Sequence, residues 1–205
     1  MYGGWEILEY IRQGGWIMVP LVAVSVVMWT LIVDRLRAFA QLSRRDLDPA
    51  AVVAAVLAAD NVVLAGRHGL RAVLARRFLA ERSGLQQLDR EILFGCALHL
   101  RRGLENRLAL IAVLAGIAPL LGLLGTVLGM IETFDVISIF GTGNARALAG
   151  GISVALITTQ TGLLVAIPGL LMSNRLTRAS QGLQTTLDET TALLARSLSR
   201  RGALK

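Results

Sequence analysis

Residues 147 to 174 run for 28 positions without an Asp, Glu, Lys, Arg or His. About 20 mostly apolar residues suffice to cross a bilayer as a helix. Two further windows share the property, Gln13–Val33 with 21 residues and Leu108–Ile131 with 24. Three such windows in 205 residues, 54% hydrophobic and 17% charged, predict an integral membrane protein with three spans rather than a soluble domain. The 147–174 window also keeps Ser153, Thr158, Thr159, Gln160 and Thr161. Hydroxyls and an amide at that depth predict a helix face turned toward protein or water instead of lipid.

The charge outside the windows sets the expected topology. Segment 34–107 carries 13 Arg against 8 acids, and segment 175–205 carries 6 Lys or Arg against 2. The first 15 residues and the short stretch 132–146 are each slightly acidic. Positive charge stays on the cytoplasmic side, so both basic segments are expected inside and the N-terminus outside. The fold class read from this pattern is an all-α integral membrane protein. It has an outer amphipathic lead-in over 1–15, spans at 16–33, 108–133 and 149–173, and a cytoplasmic helical insert at 34–107. An outer loop follows at 134–148 and a cytoplasmic helical tail at 174–205. Tyr2, Trp5, Tyr10 and Trp16 suit an interfacial lead-in, and no cleaved leader is expected because no early cationic region is present. The arginines flank spans and lack interleaved aromatics, which points to phospholipid headgroups and away from nucleic acid.

The insert is helical by pattern. Asp48 is a candidate N-cap with Pro49 in the first helical position, and Leu70, Val73, Leu74, Arg77 and Phe78 recur at helical spacing. Ser83 is read as the cap of a segment with Leu85, Leu88, Ile92 and His99 on one side. Nothing there forces a break before Pro119, so one helix is expected from the insert into the second span. Leu176, Leu183, Leu187, Leu194 and Leu198 step by seven and four, a coiled-coil-like seam needing a partner. That partner is either the helix at 85–107 or a neighbouring subunit. Gly141-Thr142-Gly143-Asn144 reads as a turn. The single Cys96 is expected to be buried and inert. His68 and His99 lack metal-ligand spacing, so neither a metal nor another cofactor is expected. The spans hold no acid pair or nucleophile with a base, and no enzymatic activity is expected.

Gly122, Thr126, Gly129 and Thr133 step by four, three and four, and so share a helix face. Ala155, Thr159, Gly162, Ala166 and Gly169 do the same in the third span. Small residues let helices approach closely in lipid, making Gly122, Gly125, Gly129, Ala155, Gly162 and Ala166, with Pro119 and Pro168, candidate packing residues. Packing accounts for the glycines fully and for the threonines only in part.

The segments GLLGTVLGMIETF at Gly122–Phe134 and GISVALITTQTGLLVAIP at Gly151–Pro168 resemble the signature segments of the ExbB/TolQ/MotA proton-channel family. Their order and spacing agree, as does the large insert after the first span, and three spans resemble ExbB and TolQ more than the four-span flagellar stator subunit. The resemblance implies a homopentamer around a central pore in the bacterial inner membrane, with spans two and three extended into a cytoplasmic helical bundle. It also implies an ExbD- or TolR-like single-span partner carrying a transmembrane Asp, and a TonB- or TolA-like protein that receives the work of proton flow. By motif position Thr126 and Thr159 correspond to pore-facing threonines, with Ser153 beside them and Glu132 as a weaker proton-pathway candidate. Many ExbB and TolQ sequences have Glu where this chain has Val154. The expected function is a proton-channel or stator subunit serving outer-membrane uptake. A TolQ-like role in envelope integrity and a non-conducting scaffold are the alternatives.

Overall fold

The computed structural model describes residues 13–43, 46–59, 64 and 66–202. The lead-in expected over 1–15 lies, from residue 1 to 12, outside the described residues. Among the described residues every regular element is helical: α1 (Met18–Ser43), α2 (Pro49–Ala58), α3 (Leu70–Glu81), α4 (Gln86–Glu105), α5 (Leu108–Phe140) and α6 (Ala145–Gly202). A 3-10 turn, Gly141–Gly143, joins α5 to α6. Helices α1, α5 and α6 are each long and apolar enough to cross a membrane. Asn144 starts α6 as a cap, its Oδ1 accepting from Ala147 N at 3.2 Å. From there α6 is unbroken for 58 residues, through Pro168.

The chain divides into two compact units, Met1–Val33 with Arg107–Asn174 and Asp34–Asn106 with Arg175–Lys205. In the first, α1 buries Met18, Leu21, Met28 and Ile32. Met28 lies beside Gly169 and Ala115, where its unbranched thioether fills the notch left by two small residues. Large apolar side chains on the other faces are exposed, among them Val19, Leu120, Leu164 and Leu171. Water would not tolerate so much contiguous apolar surface, and lipid or another apolar chain would.

The second unit is built like a soluble helical domain. Its core gathers Val52 and Val56 of α2, Leu70, Leu74 and Phe78 of α3, Leu93 and Cys96 of α4, and Leu187, Leu194 and Leu198 of α6. The leucine seam of the tail therefore finds partners within its own chain, on three helices and not only the one at 85–107. Asp48 caps α2 as expected, accepting from Ala50 N at 3.3 Å with Pro49 following. Arg71 ties the unit together: Nη1 donates to Leu47 O at 3.1 Å and Nε to Thr190 Oγ1 at 3.3 Å, and it pairs with Asp46 at 3.5 Å.

The structure departs from the sequence pattern at three points around α4. The helix entering the second span is not continuous: α4 ends at Glu105, and Arg107 takes a left-handed backbone with φ 66 before α5 begins. No Gly or Pro marks that break, which is why the pattern passed over it. The buried face of α4 is Asp89, Leu93, Cys96, Ala97 and Leu104, while Leu85, Leu88 and His99 face outward. Nor is Ser83 the principal cap. The buried Asp89 carboxylate accepts from Ser83 N at 2.8 Å, Ser83 Oγ at 3.0 Å, Gly84 N at 3.0 Å and Arg82 Nε at 3.0 Å. Burial alone would raise the carboxyl's pKa, but the Arg82 guanidinium and the Ser83 and Gly84 donors outweigh it and hold Asp89 below the ordinary value. Cys96 is buried and unpaired, and burial, with Glu81 beside it, pushes its thiol up.

Candidate functional site

The second and third spans meet along a seam of small side chains. On α5 the buried line runs Ile111, Ala115, Ala118, Gly122, Gly125, Gly129 and Thr133. On α6 it runs Gly151, Ala155, Thr158, Gly162, Ala166, Gly169 and Ser173. The backbones come close enough that side-chain carbons would not fit. A Cβ on Gly162 would stand 2.8 Å from Ala118 O, and one on Gly129 would stand 2.6 Å from Gly151 O. A Cβ on Gly125 would run into the Thr158 side chain.

This fixes which hydroxyls are packing groups. Thr158 is fully buried over Gly125, and its Oγ1 donates back to Val154 O at 2.9 Å and Ala155 O at 3.1 Å. Thr133 is buried against Gly151 and donates to Gly129 O at 2.9 Å. Both bonds satisfy the hydroxyl on its own helix. The buried line keeps Gly122, Gly129 and Thr133 on α5 and Ala155, Gly162, Ala166 and Gly169 on α6, and between them it passes through Gly125 and Thr158, with Thr126 and Thr159 at its edge.

Thr126 and Thr159 sit half-buried on the shoulders of the seam. Thr126 Oγ1 donates to Leu123 O at 2.6 Å, along its own helix. Thr159 reaches across, donating to the Gly122 carbonyl at 3.3 Å. Its neighbour Gln160 is exposed and Thr161 is half-buried. Ser153 and Val154 are half-buried near the start of α6, and a Cβ on Gly15 would lie 3.7 Å from Val154 Cγ1. Val154 therefore stands beside the chain as it enters the first span. Glu132 is exposed on the last third of α5. Pro119 and Pro168 are half-buried inside continuous helices. Between Leu108 and Ile131, and between Ala147 and Asn174, no side chain titrates near neutral pH. The residues of the contact that the sequence pattern did not single out for packing are Thr158, Gly151 and Met28. Thr158 had its hydroxyl at bilayer depth as a signal, and Gly151 its place four residues before Ala155 on the small face; Met28 had none.

A helical membrane protein whose second and third spans lock through small residues, with hydroxyls on the flanks of the lock, is the class these features define. The profile described as the MotA/TolQ/ExbB proton channel family matches residues 67–189, and the chain belongs to that family. Within it the chain is most like ExbB. It is 34% identical over 186 residues to the putative biopolymer transport protein ExbB-like 1 of Synechocystis sp., a match covering 82% of this chain and 69% of that one. It is 44% identical over 79 residues to the biopolymer transport protein ExbB of Aquifex aeolicus, covering 38% of this chain and 53% of that one. It is also 36% identical over 97 residues to the Tol-Pal system protein TolQ of Haemophilus influenzae, covering 45% and 42%. The chain thus spans about half the length of several of the curated relatives it matches.

Proposed function

We propose that this chain is a proton-channel or stator subunit of the bacterial inner membrane. It works with an ExbD-like single-span partner to turn proton motive force into mechanical work on a TonB-like protein for outer-membrane uptake. Its N-terminus lies in the periplasm and its tail in the cytoplasm, and five copies surround a pore that holds the partner's helix. It performs no bond-making chemistry of its own. The observation that carries this reading is the cross-helix bond of Thr159 on the flank of a glycine-packed seam, within a chain of this family.

The geometry constrains the role of the hydroxyls. Thr126 and Thr159 each use their hydrogen on a backbone carbonyl, which leaves oxygen lone pairs to accept. A partner's carboxylic acid in its protonated form donates to such an oxygen. The ionised form instead requires the hydroxyl to turn, breaking a bond worth about 1 kcal/mol. The track therefore favours the neutral acid, the form that crosses a low-dielectric region most cheaply. With Val154 in place of an acid, the proton carrier comes from the partner.

The test has two stages. The detergent-extracted protein, co-expressed with its single-span partner, should have the native mass of a pentamer carrying partner chains. Thr159→Val should then lower partner-dependent proton flux into vesicles by up to about tenfold, the scale of one lost hydrogen bond to a neutral acid, while the assembly keeps its mass. Unchanged flux defeats the role given to the hydroxyl. Val154 favours a second reading, a scaffold that holds a partner without conducting. In that case the partner's output is indifferent to collapse of the proton gradient. A TolQ-like client is distinguished by envelope defects, without uptake defects, on deletion.

A further inference from the structure

The unit formed by 34–106 and 175–205 contains a cavity of about 490 Å3. Three arginines, Arg35, Arg77 and Arg102, line its wall with His99 and Asn106; Arg77 is paired with Glu81 at 3.4 Å, and among the described residues no Asp or Glu lines the cavity. Phe39 and Leu104 supply an apolar side. Arg35 is held in place by Nη1, which donates to Gly103 O at 3.1 Å, and its side chain is 13% exposed. Its Nε is buried and pairs with the Asp34 carboxylate at 3.7 Å.

The position of the cavity says what kind of anion. Arg35 follows Val33, the last residue of the first uncharged window, within the same helix α1, about 3 Å of rise beyond it. Arg102 and the rest of the last turn of α4 closely precede Leu108, where the second uncharged window opens. Headgroups occupy roughly 5–8 Å on each side of the hydrocarbon, which is the height of Arg35. A basic pocket at that level, with an apolar flank, matches a lipid phosphate and the first carbons below it. We propose that this cavity binds an anionic phospholipid. The phosphate lies between Arg35 and Arg102, the remainder of the headgroup lies toward His99 and Arg77, and the acyl end lies against Phe39 and Leu104. The chemistry recognised is a phosphate monoanion or dianion, and the lipid source is favoured over a free one by the apolar flank and the span ends. The site does not depend on proton conduction, and its test reads no flux.

Native mass spectrometry of the full chain in detergent, titrated with phosphatidylglycerol or phosphatidylcholine, tests the site. The anionic lipid should be retained about tenfold more tightly. Arg102→Gln should weaken it about fivefold, the worth of one arginine at a membrane surface, and Arg76→Gln, an exposed arginine outside the cavity, should leave it unchanged. Arg35→Gln should weaken it at least as much. Because that change also removes the bond to Gly103, Arg102→Gln alone decides between site and no site if Arg35→Gln unfolds. Equal retention of the two lipids, or indifference to Arg102→Gln, overturns the site. Displacement of bound phosphatidylglycerol by inorganic phosphate at about 10 mM overturns the lipid assignment in favour of a free anion.

Discussion

Gly162→Ala is the change to which the seam should be most sensitive. The added carbon would stand 2.8 Å from Ala118 O and 3.1 Å from Gly122 Cα. Carbon and carbonyl oxygen rest at about 3.3 Å or more, so the two helices must part by about 0.5 Å. A gap of that size forfeits about a quarter of the dispersion well. For a seam with some 40 atom pairs at about 0.15 kcal/mol each, that is about 1.5 kcal/mol. The Thr159–Gly122 bond, already 3.3 Å long, lengthens beyond hydrogen-bonding reach and removes about 1 kcal/mol more. The expected loss is about 2–3 kcal/mol, in the range of overpacked cores. Gly116→Ala is the matched control, since a Cβ there meets nothing within 4 Å. It should be neutral or stabilising by up to about 1 kcal/mol through helix propensity. Equilibrium unfolding of the detergent-solubilised chain in mixed micelles measures both. If the two variants unfold together, the backbone contact at Gly162 does not hold the spans, and the account of the seam fails.

Asp89→Asn should destabilise the unit holding α2 to α4 by about 2 kcal/mol, since it removes the charge that Arg82 and two backbone N–H groups address. The sign of the pH effect follows from the lowered pKa: the stability Asp89 contributes is present above its unfolded value near 3.9 and is lost as pH falls through the lower folded value. Thermal melts from pH 7 to pH 3 should show Asp89→Asn losing less between about pH 4 and pH 3 than the unaltered chain does. Cys96, buried with its thiol pushed up, should react with a maleimide at pH 7 at least about 100-fold more slowly in the folded chain than in denaturant; rapid labelling of the folded protein would refute the placement. Arg71→Gln should destabilise by about 2 kcal/mol and free the start of α3 to exchange amide hydrogens faster, because Asp46, Leu47 and Thr190 all meet on that side chain.

The apolar windows and the small residues of the spans were legible because length and composition alone carry them. The exact face was not. Between Gly122 and Gly129, a path through Gly125 steps by three and four, and a path through Thr126 steps by four and three; helical periodicity accepts both. Only contact decides, and the close approach that puts Thr158 against Gly125 leaves no space for a threonine there. The same ambiguity moved Thr159 off the buried line. On α4 two apolar stripes compete, and the choice of Leu93 and Cys96 over Leu85 and Leu88 follows from the core they join and from the buried, hydrogen-bonded Asp89 on the same face. The break at Arg107 was invisible because an arginine seldom adopts positive φ.

The chain passes between its two units three times. At residues 33 to 34 and 174 to 175 it does so inside unbroken helices, α1 and α6. At 106 to 107 it does so through a single left-handed residue. Since the seam clamps α5 to α6 with no room for a side-chain carbon between their backbones, the two spans can shift within their unit only as one body.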